Sequence, residues 1–166
     1  MRKILISFFV FATAITLTAC SQATEDKVSK LATVKSSQGS FTIELDEKRA
    51  PNTVDNFIKK ATAGDYSGRT FHRVEDWVVQ GGDPKGDGTG GGDQATELSD
   101  GNFAEGAVGI ARGGNIKISN ADQFFVCTVD CSFLNKQYTY FGRVTSGMDV
   151  VKKMKIGDKI ESIEIK

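Results

Sequence analysis

Histidine is almost absent from this sequence, which contains only His72. A histidine-rich metal site and a pair of histidines exchanging protons are therefore excluded. We expect His72 to be a structural residue whose hydrogen bonds are satisfied. An excess of positive charge is also lacking, because 21 lysines and arginines balance 21 aspartates and glutamates. Without a basic face, a nucleic-acid-binding role is excluded. The length of 166 residues predicts a single domain.

The motifs of several common catalytic sites are missing as well. The sequence contains no Gly-x-Ser-x-Gly elbow and no Gly-Lys-Ser/Thr phosphate loop. A glycine-rich run at 86–92 is flanked by Asp83 and Asp93, which would repel a phosphate. The run also lacks the ligand spacing of a calcium-binding EF-hand loop. We interpret it as a flexible rim loop, and we predict neither a metal nor a cofactor.

The N-terminal segment differs from the rest of the chain. Arg2 and Lys3 precede an uncharged apolar run at 4–19, the layout of a bacterial secretory signal. The run is shorter than the roughly 20 apolar residues of a membrane-spanning helix. It ends in Leu-Thr-Ala before Cys20, which resembles the lipobox of bacterial lipoproteins, where the cysteine receives lipid and the chain is cut before it. We therefore expect residues 1–19 to be removed and Cys20 to be lipidated.

Two alternatives for this segment remain open, namely a soluble secreted protein with an incidental Cys20 and an uncleaved anchor helix. The lipoprotein interpretation makes residues 20–30 a lipidated cysteine with a polar tether, and residues 31–166 the folded domain. Losing the two basic residues of the signal leaves 19 basic and 21 acidic residues, a net charge of −2. The expected location is the cell envelope, with the chain lipid-anchored to a membrane. In a double-membraned cell this would be the outer membrane, facing the periplasm, because Ser21 rather than aspartate follows the cysteine.

Two cysteines remain in the domain, Cys127 and Cys131. An envelope compartment permits disulfides, and a three-residue gap can close one if the chain turns there. In the alternative, Cys127 packs within a strand and Cys131 stays free. We favour the alternative, because a regular strand cannot bring residues i and i+4 within bonding distance.

Short alternating segments predict a mainly β domain. Residues 41–45 alternate apolar and polar side chains, and Gly39 before them predicts a hairpin with residues 31–35. Pro51 begins a predicted helix that Gly64 ends, with apolar residues at helical spacing between them. Residues 81–114 hold most of the glycines and are predicted to be mostly loop. The remaining predicted elements are strands at 71–74, 77–80, 123–128, 138–144 and 163–165, and a short helix at 149–154.

Four segments together indicate one family. They are Phe-His-Arg-Val at 71–74, Gln-Gly-Gly-Asp at 80–83, Gln-Phe-Phe-Val at 123–126 and Phe-Gly-Arg-Val at 141–144. In this order and spacing they resemble the cyclophilin-type peptidyl-prolyl isomerases. The similarity extends from about Ala32 to the C-terminus and includes the octapeptide at 50–57 and the pentapeptide at 147–151.

The resemblance implies a closed eight-stranded antiparallel β-barrel with two capping helices. Side chains fill such a barrel, so the site is expected in a groove on its outer face. The implied activity is isomerisation of X–Pro bonds in proline-containing polypeptides, here in the folding of envelope and secreted proteins. Rotating an amide costs about 18–20 kcal/mol because C–N resonance is lost. An arginine that donates to the prolyl nitrogen stabilises the twisted state more than the planar one, and this chemistry needs no cofactor.

The motif matches carry residue roles with them. The resemblance implies that Arg73 promotes the loss of amide resonance, that Phe125 is the floor of the proline pocket, and that Gln123 hydrogen-bonds the substrate backbone and the surroundings of the arginine. Phe124 and Phe125 alternate in a strand, so one faces away from the core and is expected to expose an aromatic ring. The remaining substrate-binding positions implied by the resemblance are Trp77, Val78, Gln80, Ala111, Arg112, Phe133, Leu134 and Tyr138; Ala111 and Arg112 resemble a strand that pairs with the substrate.

Two departures from the family lie near these residues. Only Glu75 and Asp76 separate Val74 from Trp77, one residue fewer than usual, so Glu75 can pair with Arg73 and either hold or misdirect it. Asp122 places a negative charge near the groove, and we predict that it biases substrate choice.

Two other functions compete with an active isomerase. One is a binding or chaperone module that uses the groove with little turnover, and the other is a lipid-anchored structural barrel. The complete set of Arg73, Gln123 and Phe125 favours the enzyme, which we expect to be a monomer.

Overall fold

The computed structural model describes residues 29–166. The predicted signal at 1–19, Cys20 and most of the tether therefore lie outside the described residues. The domain begins with a hairpin of β1 (Leu31–Ser36) and β2 (Gly39–Leu45), in which every second side chain is buried from Ala32 onward in β1 and from Phe41 in β2. Gly39 follows the turn with φ of 125°, a backbone conformation that glycine adopts without a steric penalty. The predicted hairpin is confirmed.

Helix α1 (Pro51–Ala63) begins and ends where the sequence predicts. Proline suits its first turn, because the N–H that proline lacks has no partner within the helix at that position. Val54, Phe57 and Ala61 form its buried face. Gly64 ends the helix in the left-handed conformation, with φ of 78°, and its N–H donates to the Ala61 carbonyl.

The remaining elements are short. A 3-10 turn spans Ser132–Leu134, and helix α2 (Met148–Val151) overlaps the predicted second helix at 149–154 but begins one residue earlier and ends three residues earlier. The interpretation of residues 81–114 as mostly loop misses two strands. One of them, Ala107–Ile110, is buried along its whole length and therefore lacks the alternation of apolar and polar residues that predicts a strand. The other strands are β3 (Thr70–Glu75), β4 (Val78–Asp83), β5 (Asp93–Ala95), β6 (Ala107–Ile110), β7 (Ile118–Asn120), β8 (Phe124–Cys127), β9 (Tyr140–Ser146) and β10 (Ile160–Ile165).

Eight strands form one antiparallel sheet in the order β10-β1-β2-β9-β6-β8-β4-β3, while β5 and β7 form a separate pair. The prediction of a closed barrel is wrong, because the described sheet curls but stays open between β3 and β10. Strand β3 and the chain just before β10 meet at an isolated bridge between Thr70 and Lys159, and scattered backbone hydrogen bonds join the same segments. A regular ladder does not form there, since the chain turns at Gly157, with φ of 93°, and β10 becomes regular only at Ile160.

The curled sheet divides its buried side chains into two groups. The main core lies between the sheet and the helices, and it contains Phe57 of α1 and Phe124 of β8. A second group, which we call the outer cluster, covers the opposite face of β4, β6 and β8. Its members are Val78, Phe103, Ala107, Phe125, Cys127, Cys131 and Leu134, with Trp77, Tyr138 and Tyr140 packed against them.

Candidate active site

A cleft of about 370 Å³ opens beside the outer cluster. All but two of the domain residues predicted to form the site line it; the exceptions are Gln123, which lies beneath the cleft, and Phe133, which lies beside it. Sequence reasoning missed three lining residues, His72, Asp87 and Gly88, of which the last two belong to the glycine-rich run. The lining residues are His72, Arg73, Trp77, Val78, Gln80, Asp87, Gly88, Ala111, Arg112, Phe125, Leu134 and Tyr138.

The register of four adjacent strands brings the central residues into one row. Arg73 of β3 is paired with Gln80 of β4, and Gln80 is paired with Phe125 of β8. Phe125 is in turn opposite Gly109 of β6. Residues paired across strands direct their side chains to the same face of a sheet. Segments far apart in sequence therefore present an arginine, an amide and an aromatic ring side by side.

A β-bulge at His72 turns Arg73 toward this row. In a regular strand, Arg73 would lie on the same face as Phe71, whose side chain is fully buried in the main core. The register shifts between Phe71 and Arg73, so Phe71 is opposite Gly81 while Arg73 is opposite Gln80. The inserted residue places Arg73 on the outer face and Val74 against the main core. The three-residue spacing of Phe71 and Val74, both apolar, is the sequence signal of this bulge.

Phe125 forms the floor of the cleft. Its ring stacks on that of Phe103 at a centroid distance of 5.7 Å and is perpendicular to that of Tyr138 at 5.8 Å. A Cβ atom at Gly109 would lie 2.5 Å from the Phe125 ring, so only glycine leaves space for that ring.

The expected exposure of an aromatic ring at this position is wrong. Phe124 does face the core, but Phe125 is only 4% exposed. Residues Phe103 and Leu134, which lie outside the main sheet, pack in the same outer cluster. Alternation along β8 predicts that Phe125 leaves the core, but it does not reveal which segment covers it.

Arg73 is held by hydrogen bonds from two directions. Its Nε donates to Glu75 Oε1 at 2.7 Å and its Nη2 donates to Glu75 Oε2 at 3.2 Å. Its Nη1 donates to Gln80 Oε1 at 3.3 Å. The predicted pairing of Glu75 with Arg73 is thus confirmed. Hydrogen bonds from Arg73 hold the pKa of the Glu75 carboxyl below its usual value of 4.5.

Gln123 supports the row from beneath. Its Oε1 accepts a hydrogen bond from Gln80 Nε2 at 2.9 Å, and its Nε2 donates to the carbonyls of Gly88 and Gly90. Gln123 is 3% exposed, so it reaches Arg73 through Gln80 rather than directly. The glycine-rich loop is itself held at Asp83, whose side chain accepts backbone N–H groups from Lys85, Asp87 and Gly88.

Two apolar side chains flank the floor at the arginine end. Trp77 lies in the turn between β3 and β4 rather than in the predicted strand, and its ring lies 5.0 Å from the Arg73 Cζ atom. Val78 is buried in the outer cluster beside it. Phe133 is 58% exposed and packs edge-to-face with Trp77 at a centroid distance of 5.3 Å, so it extends the exposed aromatic surface beside the cleft.

The opposite end of the cleft carries Arg112 and Tyr138. The Arg112 guanidinium lies 4.4 Å above the Tyr138 ring, and its Nε donates to the Gln137 carbonyl. Ala111 and Arg112 follow β6 rather than lying in a strand, so the predicted strand at these two residues is wrong. The Ala111 N–H donates to the Gln123 carbonyl and its own carbonyl accepts from Asn120, so the chain's own backbone already binds this segment.

Asp122 does not face the cleft, contrary to the predicted effect on substrate choice. Its carboxylate is 7% exposed and accepts hydrogen bonds from Lys60 Nζ at 2.8 Å, Arg69 Nη1 at 2.9 Å and the Gly92 N–H at 3.0 Å. Burial opposes ionisation, but these hydrogen bonds outweigh it and lower the pKa of Asp122. The negative charge is neutralised inside the protein, because a buried carboxylate requires cationic partners.

The two cysteines of the domain form a disulfide, so the interpretation that we favoured for them is wrong. Their Cα atoms are 6.2 Å apart. Strand β8 ends at Cys127 and the chain turns over the next three residues, which removes the distance that a regular strand would impose. The disulfide links the end of β8 to the 3-10 turn that carries Phe133 and Leu134.

His72 is the bulged residue of β3 and lines the cleft. Neither of its ring nitrogens has a hydrogen-bond partner among the described residues, although both atoms are buried. The expectation of a structural histidine with satisfied hydrogen bonds is therefore wrong. Its ring lies against the glycine-rich loop, at 3.6 Å from a Cβ atom built on Gly88.

A second cleft lies elsewhere on the described surface. It is larger, about 640 Å³, and charged residues make up most of its lining, including the ion pairs of Arg49 with Asp46 and Asp100. Across residues 29–166, no group of three or more histidine, cysteine, aspartate or glutamate side chains is arranged to hold a metal ion. In the same range, no helix is long and apolar enough to span a membrane.

Comparisons with known proteins agree with the resemblance found in the motifs. The family model for "cyclophilin type peptidyl-prolyl cis-trans isomerase/CLD" matches residues 30–165. A peptidyl-prolyl cis-trans isomerase of Helicobacter pylori is 38% identical over 148 residues, which cover 84% of this chain and 90% of the relative. Peptidyl-prolyl cis-trans isomerase B of Bacillus subtilis is 40% identical over 127 residues, covering 74% and 87%.

A solved structure shares the same fold. The crystal structure of a cyclophilin-type isomerase from Cryptosporidium parvum has a TM-score of 0.76 at 23% identity, and the match covers 83% of this chain and 98% of that one. The family match and the identity to the bacterial relatives extend over most of the domain. The chain therefore belongs to the cyclophilin-type peptidyl-prolyl cis-trans isomerases.

Proposed function

We propose that the cleft binds an X–Pro segment and isomerises it without covalent chemistry, with Arg73 as the catalytic residue. The observation that carries this proposal is the row of Arg73, Gln80 and Phe125 across three adjacent strands. In this row a permanent cation lies beside the aromatic ring of Phe125, which packs in the outer cluster. Arginine keeps its charge at every working pH, so its donors are always available.

The barrier to rotation is set by C–N resonance, about 18–20 kcal/mol. As the bond twists, the prolyl nitrogen regains its lone pair and becomes a hydrogen-bond acceptor. A donor at that point interacts with the twisted state and hardly with the planar one, which is the condition for catalysis. Of the five N–H protons of the Arg73 guanidinium, Glu75 and Gln80 accept three. One proton on each terminal nitrogen is left to donate to the substrate.

The other predicted residues hold the substrate or Arg73 in this scheme. Phe125 and Leu134 contact the proline ring, while Trp77 and Phe133 form the apolar rim. Gln80 orients Arg73 directly, and Gln123 acts through Gln80. Ala111, Arg112, Val78 and Tyr138 complete the cleft.

The experiment is cis/trans exchange measured by NMR on a short Ala-Pro peptide, for the wild type and Arg73→Ala. Removing a single transition-state donor typically costs about 10²–10³ in rate, and we expect a loss of at least about 100-fold. Arg143→Ala is the matched control, because Arg143 is exposed on β9 and lines the other cleft. Equal rates for wild type and Arg73→Ala would refute the catalytic role. Peptide binding by the wild type without acceleration would instead favour the binding or chaperone module.

We further propose that the enzyme acts in the cell envelope on secreted and envelope polypeptides, anchored by lipid on Cys20. The sequence supports this, because a signal-like apolar run meets a cysteine at the position of a lipobox. The short polar segment before Leu31 then serves as the tether. We expect a monomer, since the described chain forms the cleft by itself.

The anchor is tested with the full chain expressed in a bacterial host. Wild type is expected to incorporate radiolabelled palmitate and to sediment with membranes. Cys20→Ser should abolish both, whereas Ser21→Ala should leave them unchanged. Unchanged labelling and partition in Cys20→Ser would disprove the lipoprotein interpretation and would leave the isomerase activity of the domain unaffected.

A further inference from the structure

The hairpin of β3 and β4 carries three side chains, two at the end of β3 and one in the turn, that all contact one another. Glu75 accepts hydrogen bonds from Arg73 through both of its oxygens, at 2.7 and 3.2 Å. Its Oε2 also accepts from the indole Nε1 of Trp77 at 2.9 Å. The third contact is between Arg73 and Trp77, because the Arg73 Cζ atom lies 5.0 Å from the centre of the Trp77 ring. We call Arg73, Glu75 and Trp77 the turn triad.

The short turn produces this arrangement. Glu75 is opposite Val78 across the hairpin, so only Asp76 and Trp77 form the turn. Arg73 and Glu75 are two residues apart in one strand and therefore project from the same face. The tight turn folds Trp77 back over that face, within reach of both. An additional turn residue would carry the indole away from the carboxylate.

Glu75 holds the guanidinium from outside the cleft. Arg73 and Trp77 line the cleft, whereas Glu75 is not among the described residues that line it. The Glu75 carboxylate accepts two hydrogen bonds from Arg73, from Nε and Nη2, and the Gln80 side chain accepts a third from Nη1. A bidentate arginine–carboxylate pair fixes the orientation of the guanidinium plane as well as its position. Arginine otherwise has several accessible rotamers at a partly exposed position, and Arg73 is 40% exposed.

We propose that Glu75 is a positioning residue, which selects the rotamer of Arg73 that donates to the prolyl nitrogen and holds Trp77 as the rim of the pocket. The proposal rests on the catalytic role proposed above for Arg73. An exposed ion pair contributes little to stability, so the function of this pair lies in orientation. If the freed side chain spends about one fifth of its time in the productive rotamer, kcat/KM falls about fivefold.

The test is a double-mutant cycle on the intact domain, with NMR exchange on the Ala-Pro peptide as the readout. Glu75→Ala is expected to lower kcat about fivefold with a change in KM below about twofold. Glu75→Gln retains one acceptor oxygen, so its kcat should fall less than that of Glu75→Ala. In the Arg73→Ala background, Glu75→Ala should have no further effect on rate, because a positioning residue acts only through its target. The matched control is Asp100→Asn, which removes a carboxylate that accepts from an arginine Nε on the other cleft.

A spectroscopic measurement separates positioning from unfolding. Trp77 is the only tryptophan of the chain, so its indole N–H gives a single resonance. Glu75→Ala should shift that resonance upfield, because a charge-assisted hydrogen bond is lost. The other amide resonances should keep the dispersion of the folded protein.

The outcomes are distinct. A rate in Glu75→Ala equal to or above that of wild type would overturn the inference. It would also be overturned if Glu75→Ala lowered the rate by the same factor in the Arg73→Ala background as in the wild type. If Arg73→Ala itself keeps the wild-type rate, the proposed function fails instead.

Discussion

Asp122 is adjacent to Gln123 in sequence, but its carboxylate is buried and paired with Lys60 and Arg69 rather than facing the cleft. Removing its charge should therefore change stability and not substrate preference. Asp122→Asn keeps the shape of the side chain and removes its charge. Lys60 and Arg69 then face a neutral oxygen in place of a carboxylate. The perturbation is therefore confined to a buried ion network behind the glycine-rich loop.

The expected magnitude follows from burial. Hydrogen bonds to a charged group contribute about 1.5–3 kcal/mol each, and breaking a fully buried ion pair costs about 3–5 kcal/mol. Here the carboxylate is buried, but the Lys60 and Arg69 side chains remain 23% and 15% exposed and recover part of their hydration. We expect the free energy of unfolding to fall by about 2–3 kcal/mol, which corresponds to a Tm lower by about 10 °C for a domain of this size.

The assay is urea unfolding at pH 7, followed by circular dichroism, together with exchange rates at 10 °C on peptides that differ in the residue before proline. Asp55→Asn is the control, because Asp55 forms an exposed pair with Lys59 that should change stability by less than about 0.5 kcal/mol. The order of peptide preference should be unchanged in Asp122→Asn. A stability loss below about 0.5 kcal/mol, or a new order of preference in a fully stable variant, would refute the reasoning.

Three further predictions concern the same region. The lowered pKa of Asp122 means that its contribution to stability is complete above the unfolded pKa near 3.9 and is lost as the pH falls through the folded pKa. The free energy of unfolding should therefore fall less steeply below pH 4 in Asp122→Asn than in the wild type. Parallel pH profiles of the two proteins would contradict this. Gly109→Ala should overpack the floor at Phe125, lower stability by about 1–3 kcal/mol and reduce kcat/KM, and an unchanged variant in both assays would contradict it. Reducing the disulfide of Cys127 and Cys131 should lower the free energy of unfolding by about 2 kcal/mol in thermal and urea unfolding, and a domain equally stable with both thiols free would show that this link is not stabilising.

Features set by neighbouring residues were predictable from sequence. The hairpin of β1 and β2 follows from alternation around Gly39, and α1 follows from Pro51, its apolar spacing and Gly64. The family was also predictable, because its motifs are contiguous tetrapeptides. Each of these signals lies within a few residues of the structure that it specifies, so no knowledge of distant contacts is needed.

The direction of the key side chains was decided by tertiary structure. Strict alternation would place Arg73 on the face of Phe71, and only the bulge in register against β4 brings it to the cleft. Alternation moves Phe125 out of the core, but Phe103 and Leu134 decide that it is covered rather than exposed. The carboxylate of Asp122 is neutralised by partners 62 and 53 residues away. Periodicity reports the face on which a residue lies in its own strand, whereas burial, charge and orientation depend on segments brought to that face from elsewhere in the chain.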